Sequence, residues 1–149
     1  MRFAFRGLRD RITHEQTNDE ERDERLASIR ELVEGFTFEL ALLIAGQDAD
    51  LESFADSRVA LQVRSSLLPF VESGNVIRPD FGAYGELRLD GDLLDDSALI
   101  AAKLEFDDRS FRETSEGQLL PSPRRRVQLC MKVTLTPLNV VDLDVHLLN

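Results

Sequence analysis

At 149 residues, 42% hydrophobic and 31% charged, the chain suits a single globular domain that buries about two-thirds of its unfolded surface without a metal or disulfide staple. Its formal charge of −10 excludes a nucleic-acid role, because duplex binding is dominated by clustered Lys and Arg that release counterions. The single cysteine, Cys130, excludes an internal disulfide or a Cys-rich zinc site and makes a reducing cytoplasm the expected setting.

Residues 1–12 form a basic arm on an acidic protein: Arg2, Arg6, Arg9 and Arg11 stand against Asp10, interleaved with Phe3, Phe5, Leu8 and Ile12. No apolar run of about 18 residues occurs anywhere, and this start has no apolar h-region, so neither a membrane span nor a secretory signal is expected. An edge strand or short helix docked through the aromatics is the plain structural reading. The functional reading is an arm that reaches an acidic neighbouring subunit or makes peripheral contact with anionic lipid.

Residues 13–73 lean towards helix. Thr13 with Gln16 and Thr17 with Glu20 each fit a capping box, and Asp19-Glu20-Glu21 suits the positive end of a helix dipole. A helix is therefore predicted to begin near Thr17. Leu26, Ile29, Val33, Phe36, Leu40 and Leu43 recur at alternating spacings of three and four, which an intramolecular core helix explains at least as well as a coiled-coil dimer. The first turns are polar all round and should project into water. Gly35 and the alternation Phe36-Thr37-Phe38-Glu39-Leu40 argue for a stop, but strong helix formers up to Ala45 favour continuation to a cap at Gly46. Within 51–64, helical spacing (Leu51, Phe54, Ala55, Val59, Val63) competes with a strand-like alternation over Val59–Arg64. Pro69, Ser73-Gly74-Asn75 and Pro79 then close this half.

The second half reads as strands. Residues 86–90 alternate and end at Gly91, while Ile100, Ala102, Leu104 and Phe106 share one parity, giving two antiparallel strands joined by an acidic connection. Residues 107–126, polar with two prolines, are expected to form a long loop. Next, Val127, Leu129, Met131, Val133 and Leu135 line one face, and Val141, Leu143, Val145 and Leu147 line a face of the following strand. Since both apolar sets are odd-numbered, a three-residue loop at Pro137-Leu138-Asn139 is expected. It would set Thr134 opposite Asp142, Lys132 opposite Asp144 and Cys130 opposite His146.

That register brings together the residue types of a nucleophilic site, Cys130, His146 and Asp144. Mid-strand positions lack the exposed elbow of an activated nucleophile, so an ordinary polar sheet face is the stronger expectation. Asp142, Asp144 and His146 stand about 6–7 Å apart along a strand and cannot converge on a metal unless another segment, such as that of His14, contributes. His14-Glu15 lacks the second histidine of a zincin helix. The acidic turns at 48–52 and 90–96 fail the EF-hand pattern, with Val59 and Ala101 where a bidentate glutamate belongs. Ser122-Pro123-Arg124-Arg125-Arg126 can bind an anion or simply guard a strand.

The sequence thus predicts a single α+β domain with an N-terminal helical portion packed on an antiparallel sheet formed mainly by residues 84–148. The expected role is a non-catalytic cytoplasmic assembly or adaptor subunit without cofactor or metal. It would contact copies of itself or a protein partner through Arg2, Phe3, Phe5, Arg6 and Arg9 of the arm and Leu26, Ile29 and Val33 of the seam. A domain holding a small apolar ligand between helix and sheet is the alternative. A metal or Cys/His-dependent hydrolase is the third class.

Overall fold

A computed structural model describes residues 2–72, 76–82, 84–121 and 124–148, with side chains described within 17–67, 77–82, 84–120 and 124–148. The architecture is α+β. Helices α1 (Arg2–Ile44) and α2 (Ser57–Glu72) precede strands β1 (Val76–Arg78), β2 (Arg88–Asp90), β3 (Leu99–Asp108), β4 (Phe111–Glu113), β5 (Leu119–Pro121), β6 (Arg125–Leu135) and β7 (Leu138–Leu147). Two antiparallel sheets result, one ordered β2-β3-β6-β7 and a small one ordered β1-β4-β5.

Helix α1 begins at Arg2, so the expected start near Thr17 is corrected, and residues 2–12 lie on the same helix. Thr13 and Thr17 lie inside the helix. The cause is local: no proline occurs before Pro69, and a capping side chain loses its advantage where the preceding residues continue the main-chain ladder. The helix also passes Gly35 and ends where the sequence suggested. Gly46 takes φ 77°, its amide donates to the Leu43 carbonyl at 3.0 Å, and Gln47 donates to Leu42 at 3.0 Å. This pair of bonds is the Schellman termination.

The competition within 51–64 is settled in favour of helix. Asp56 caps α2, its Oδ1 accepting the Val59 amide at 2.9 Å, which satisfies one of the donors left orphaned at a helix start. Val59, Ala60 and Val63 then face the core. Pro69 falls in the last turns and α2 ends at Glu72.

The loop expected over 107–126 is corrected as well. β3 runs to Asp108 and β6 starts at Arg125, and between them β4 and β5 form a hairpin closed by the Thr114 amide to Gln118 carbonyl and Gly117 amide to Thr114 carbonyl bonds, each 2.9 Å. β1 completes this sheet by pairing with β4, and Arg78 Nη2 meets Glu113 Oε2 at 2.6 Å.

In the main sheet Ile100, Ala102, Leu104 and Phe106 oppose Val133, Met131, Leu129 and Val127, all buried on the inner face. Ile29, Val33, Phe36 and Leu40 of α1, with Leu51, Val59 and Val63, cover them and complete one core. The heptad-like seam is therefore occupied within the chain. The acidic connection between β2 and β3 is present as expected, and Leu89 lies opposite Ala102.

The β6–β7 register is corrected by two residues. Leu135 opposes Leu138 across a two-residue turn, Thr136-Pro137, whose peptide is cis. A bulge between Lys132 and Val133 then admits one extra residue on β7, so Val133 faces Val140 and Lys132 faces Asp142. The bulge restores the odd-with-odd pairing that a two-residue turn alone would forbid. Val140 is buried before it and Leu143 after it.

Candidate functional site

Among the described residues the helices pack on the inner face of the main sheet, and its outer face is mainly polar. Cys130 opposes Lys103 on β3 and Asp144 on β7, while His146 opposes Gln128. The expected Cys130–His146 and Lys132–Asp144 pairs do not form. Lys132 instead reaches Asp142, with Nζ 4.0 Å from Oδ2. Cys130 Sγ lies 3.4 Å from Gln128 Oε1, so its described polar contact is an amide and the imidazole belongs to the next cross-strand pair. Towards one end of the same face, Arg126 binds Asp107 at 2.9 Å and Glu105 at 3.3 Å. The Asp107 hydrogen bond, opposed by desolvation and aided by Glu105, raises the guanidinium above its ordinary pKa.

Among the described residues no three His, Cys, Asp or Glu side chains come together as metal ligands; His14 lies outside the described side chains. In the acidic turn before β3, Asp92 and Asp95 accept hydrogen bonds from the turn's own residues. Asp92 Oδ1 accepts the Leu94 amide at 3.0 Å, and Asp95 Oδ1 accepts the Ser97 hydroxyl at 2.7 Å and the Ser97 amide at 3.0 Å. These donors hold Asp95 below the usual carboxylate range. Asp96 pairs with Arg25 of α1, which also donates to the Leu93 carbonyl at 2.7 Å. Asp50 likewise binds Ser53, and its amide donates to Glu39 Oε2 at 2.9 Å. Both acidic stretches are loop and helix connectors.

Of the partner-contact candidates, Ile29 and Val33 are buried in the chain's own core, and Leu26 is half-buried. Arg2, Phe3, Phe5, Arg6 and Arg9 lie on α1, and their side chains are outside the described residues. Within α1, Thr17–Glu24 are exposed except for half-buried Asn18. Arg124, just before β6, and Arg125, its first residue, are exposed, and Ser122 and Pro123 lie outside the described residues.

A feature that sequence reasoning missed is the outer edge of β7. Its first part is covered: the Val140 amide donates to the Phe54 carbonyl and the Asp56 amide to the Val140 carbonyl, both at 2.9 Å, and Arg58 Nη2 donates to the Val141 carbonyl at 2.7 Å. Among the described residues this covering stops beyond Val141. Val145 and Leu147 belong to the inner face, opposite buried Leu129 and Val127, yet each is 55% exposed. They flank a groove of about 450 Å³ whose walls include Leu40, Ile44, Val63, Leu67 and Phe106. The sequence signal was present in the apolar parity, which continues to Leu147, but nothing local marks which inner-face residues the helices fail to cover. A smaller recess of about 240 Å³ lies between Glu34, Thr37 and Tyr84, and burial, with a lesser contribution from Glu34, raises the Tyr84 phenol.

Among the described residues no helix is long and apolar enough to cross a membrane. No protein-family model matches the chain, and no curated protein or solved structure matches it.

Proposed function

We propose that the chain is a non-catalytic assembly or adaptor subunit of the cytoplasm, acting through protein–protein contacts. One observation carries this reading: α1 spans 43 residues, about 64 Å at 1.5 Å per residue, and among its described side chains, from Thr17 on, the first fully buried one is Ile29. The stretch 29–44, which packs in and against the core, takes about four or five of the helix's roughly twelve turns. The described segment Thr17–Glu24, exposed and polar, serves as a spacer between the domain and the basic aromatic residues 2–12. Helices polar on all sides commonly bridge between packed units. The acidic domain, at a net charge of −10, is a complementary surface for the four arginines of a neighbouring copy's arm.

Light scattering on the intact chain and on a chain lacking residues 1–12 tests this. Mass that rises with concentration in the first and rises less in the second is expected. A monomeric mass for both at every concentration contradicts it.

The groove between α2, the end of α1 and the inner sheet face favours a second reading, a small apolar ligand held between helix and sheet. At about 450 Å³ it lies within the usual range of small-molecule sites. Native mass spectrometry of the purified chain distinguishes the two, since a retained ligand adds a fixed small mass where association multiplies the chain mass.

A further inference from the structure

The two halves of the β7 edge differ. Phe54 and Asp56 hold both main-chain groups of Val140, and Arg58 holds the Val141 carbonyl. From Asp142 to Leu147, the side of β7 away from β6 meets no main-chain partner among the described residues. Protein edges of this length are ordinarily blunted by charged side chains, lysine above all, by proline or by a bulge; here the carboxylates of Asp142 and Asp144 stand on the outer row and leave the apolar inner row unguarded. Here the bulge lies upstream, and residues 142–147 read Asp-Leu-Asp-Val-His-Leu.

From this edge we infer that β7 pairs antiparallel with the β7 of a second copy, about a two-fold axis passing through Val145. The inference rests on the reading of the chain as an assembly subunit and names the surface by which copies meet. Three physical requirements select that register. Apolar inner-face residues must meet apolar ones, which limits the pairing to odd with odd and places the axis on a residue. The free stretch begins after the Arg58-held carbonyl of Val141 and ends with the strand at Leu147, and an axis at Val145 pairs all of Leu143–Leu147 with itself. An axis at Asp144 would set two carboxylates face to face, a destabilising cross-strand pair. With the axis at Val145, each Asp144 instead opposes the second copy's His146, Leu143 opposes its Leu147, and the two Val145 side chains meet.

The pairing therefore explains two features with one contact. It covers the exposed apolar Val145 and Leu147, and it gives Asp144 and His146, which have no ion-pair partner among the described residues, a cross-strand counterpart. The outer polar row of β7 becomes a recognition strip read by its own copy.

Cross-linking of the full chain tests the register. Directly opposed residues of an antiparallel pair lie about 4.5–5.5 Å apart at Cα, within disulfide reach. In a Cys130→Ser background treated with oxidised glutathione, Val145→Cys should form an intermolecular disulfide at least tenfold faster than Leu143→Cys or Leu147→Cys alone. Mixing the last two chains should restore fast cross-linking. Val145→Lys, at a half-exposed position, should raise the dimer dissociation constant at least tenfold, with an unfolding midpoint equal to the parent's at dilutions where both chains are monomeric.

Association that persists in Val145→Lys, without a cross-link at 145, overturns the edge pairing and leaves the assembly reading intact. A chain monomeric at every concentration overturns both. Protection of the edge only when a different protein is added assigns the edge to that partner and overturns the self-pairing.

Discussion

Gly35 lies directly beneath the ring of Phe54: a β-carbon placed on it would come within 2.3 Å of Phe54 Cε1 and 2.8 Å of Cζ. The glycine is thus a contact surface within α1, letting the 51–55 segment lie against the helix backbone and deliver Ala55 and Asp56 to β7. Intrinsic propensity favours alanine there by about 1 kcal/mol, but overpacking costs about 1–3 kcal/mol. Gly35→Ala is therefore expected to destabilise by on the order of 1 kcal/mol, measured by urea unfolding. Combining it with Phe54→Leu should recover much of the loss, a coupling that a double-mutant cycle reads. A stabilised Gly35→Ala would contradict the packing argument.

The bulge on β7 makes a second prediction. Val141 is the extra residue that separates the Val133–Val140 pair from the Lys132–Asp142 pair, so deleting it leaves a regular ladder with the same faces inward. The deletion should fold, at a cost of about 1–2 kcal/mol. Deleting Leu143 instead forces a carboxylate to the inner face opposite Met131, and should cost more than about 3 kcal/mol or abolish folding. Circular dichroism and urea midpoints of both deletions check this. Equal tolerance would mean the register is not held by the buried face.

The α2 cap yields a third. Asp56 accepts the Val59 amide and its own amide donates to Val140, so one residue starts a helix and covers a strand edge. Asp56→Ala keeps the main-chain bond and loses the cap, for an expected loss of about 1 kcal/mol. Asp56→Ser or Asp56→Asn should restore most of it. No difference between the alanine and asparagine variants in thermal unfolding would show the cap to be idle.

Stability should fall at both ends of the pH scale for different reasons. Hydrogen bonding from Arg64 holds Glu52 below its ordinary pKa, and the Ser97 donors do the same for Asp95. A depressed folded-state pKa means that the unfolded chain binds more protons in acid. That contribution is present above the usual carboxylate range and is lost as pH falls through the lowered folded pKa. Burial raises the Tyr84 phenol, so its contribution is present below the ordinary phenol pKa and lost as pH rises through the raised one. Glu52→Gln and Asp95→Asn should each flatten the acid limb of a urea-midpoint profile slightly, since both groups are exposed. Tyr84→Phe should flatten the alkaline limb. Limbs identical to the parent would contradict these assignments.

The fold class was legible because the strongest periodicities were long: most of the α1 seam, the four even positions of β3 and the odd positions of β6 from Val127 to Val133 bury the faces their spacing marks. The small sheet was not legible, since its three-residue strands, β1, β4 and β5, are too short to show a period. For the β6–β7 hairpin, parity excluded half the registers but could not choose among those that remain. A three-residue loop and a two-residue turn with a bulge both bring odd positions together, and the second arrangement shifts Asp144 from Lys132 to Cys130. The expected opposition of Cys130 and His146 depended on that choice and does not form. The open β7 edge was beyond local reading because it depends on where α2 and the 54–58 segment stop covering a strand more than eighty residues away in sequence.

Amide hydrogen exchange of the intact chain at low and high protein concentration tests the central claim, that surfaces left over from the core join copies of this protein. Protection should increase with concentration along Leu143–Leu147 and in the first turns of α1, with exchange in Ile29–Leu40 unchanged. Exchange independent of concentration in both of those segments would contradict the account.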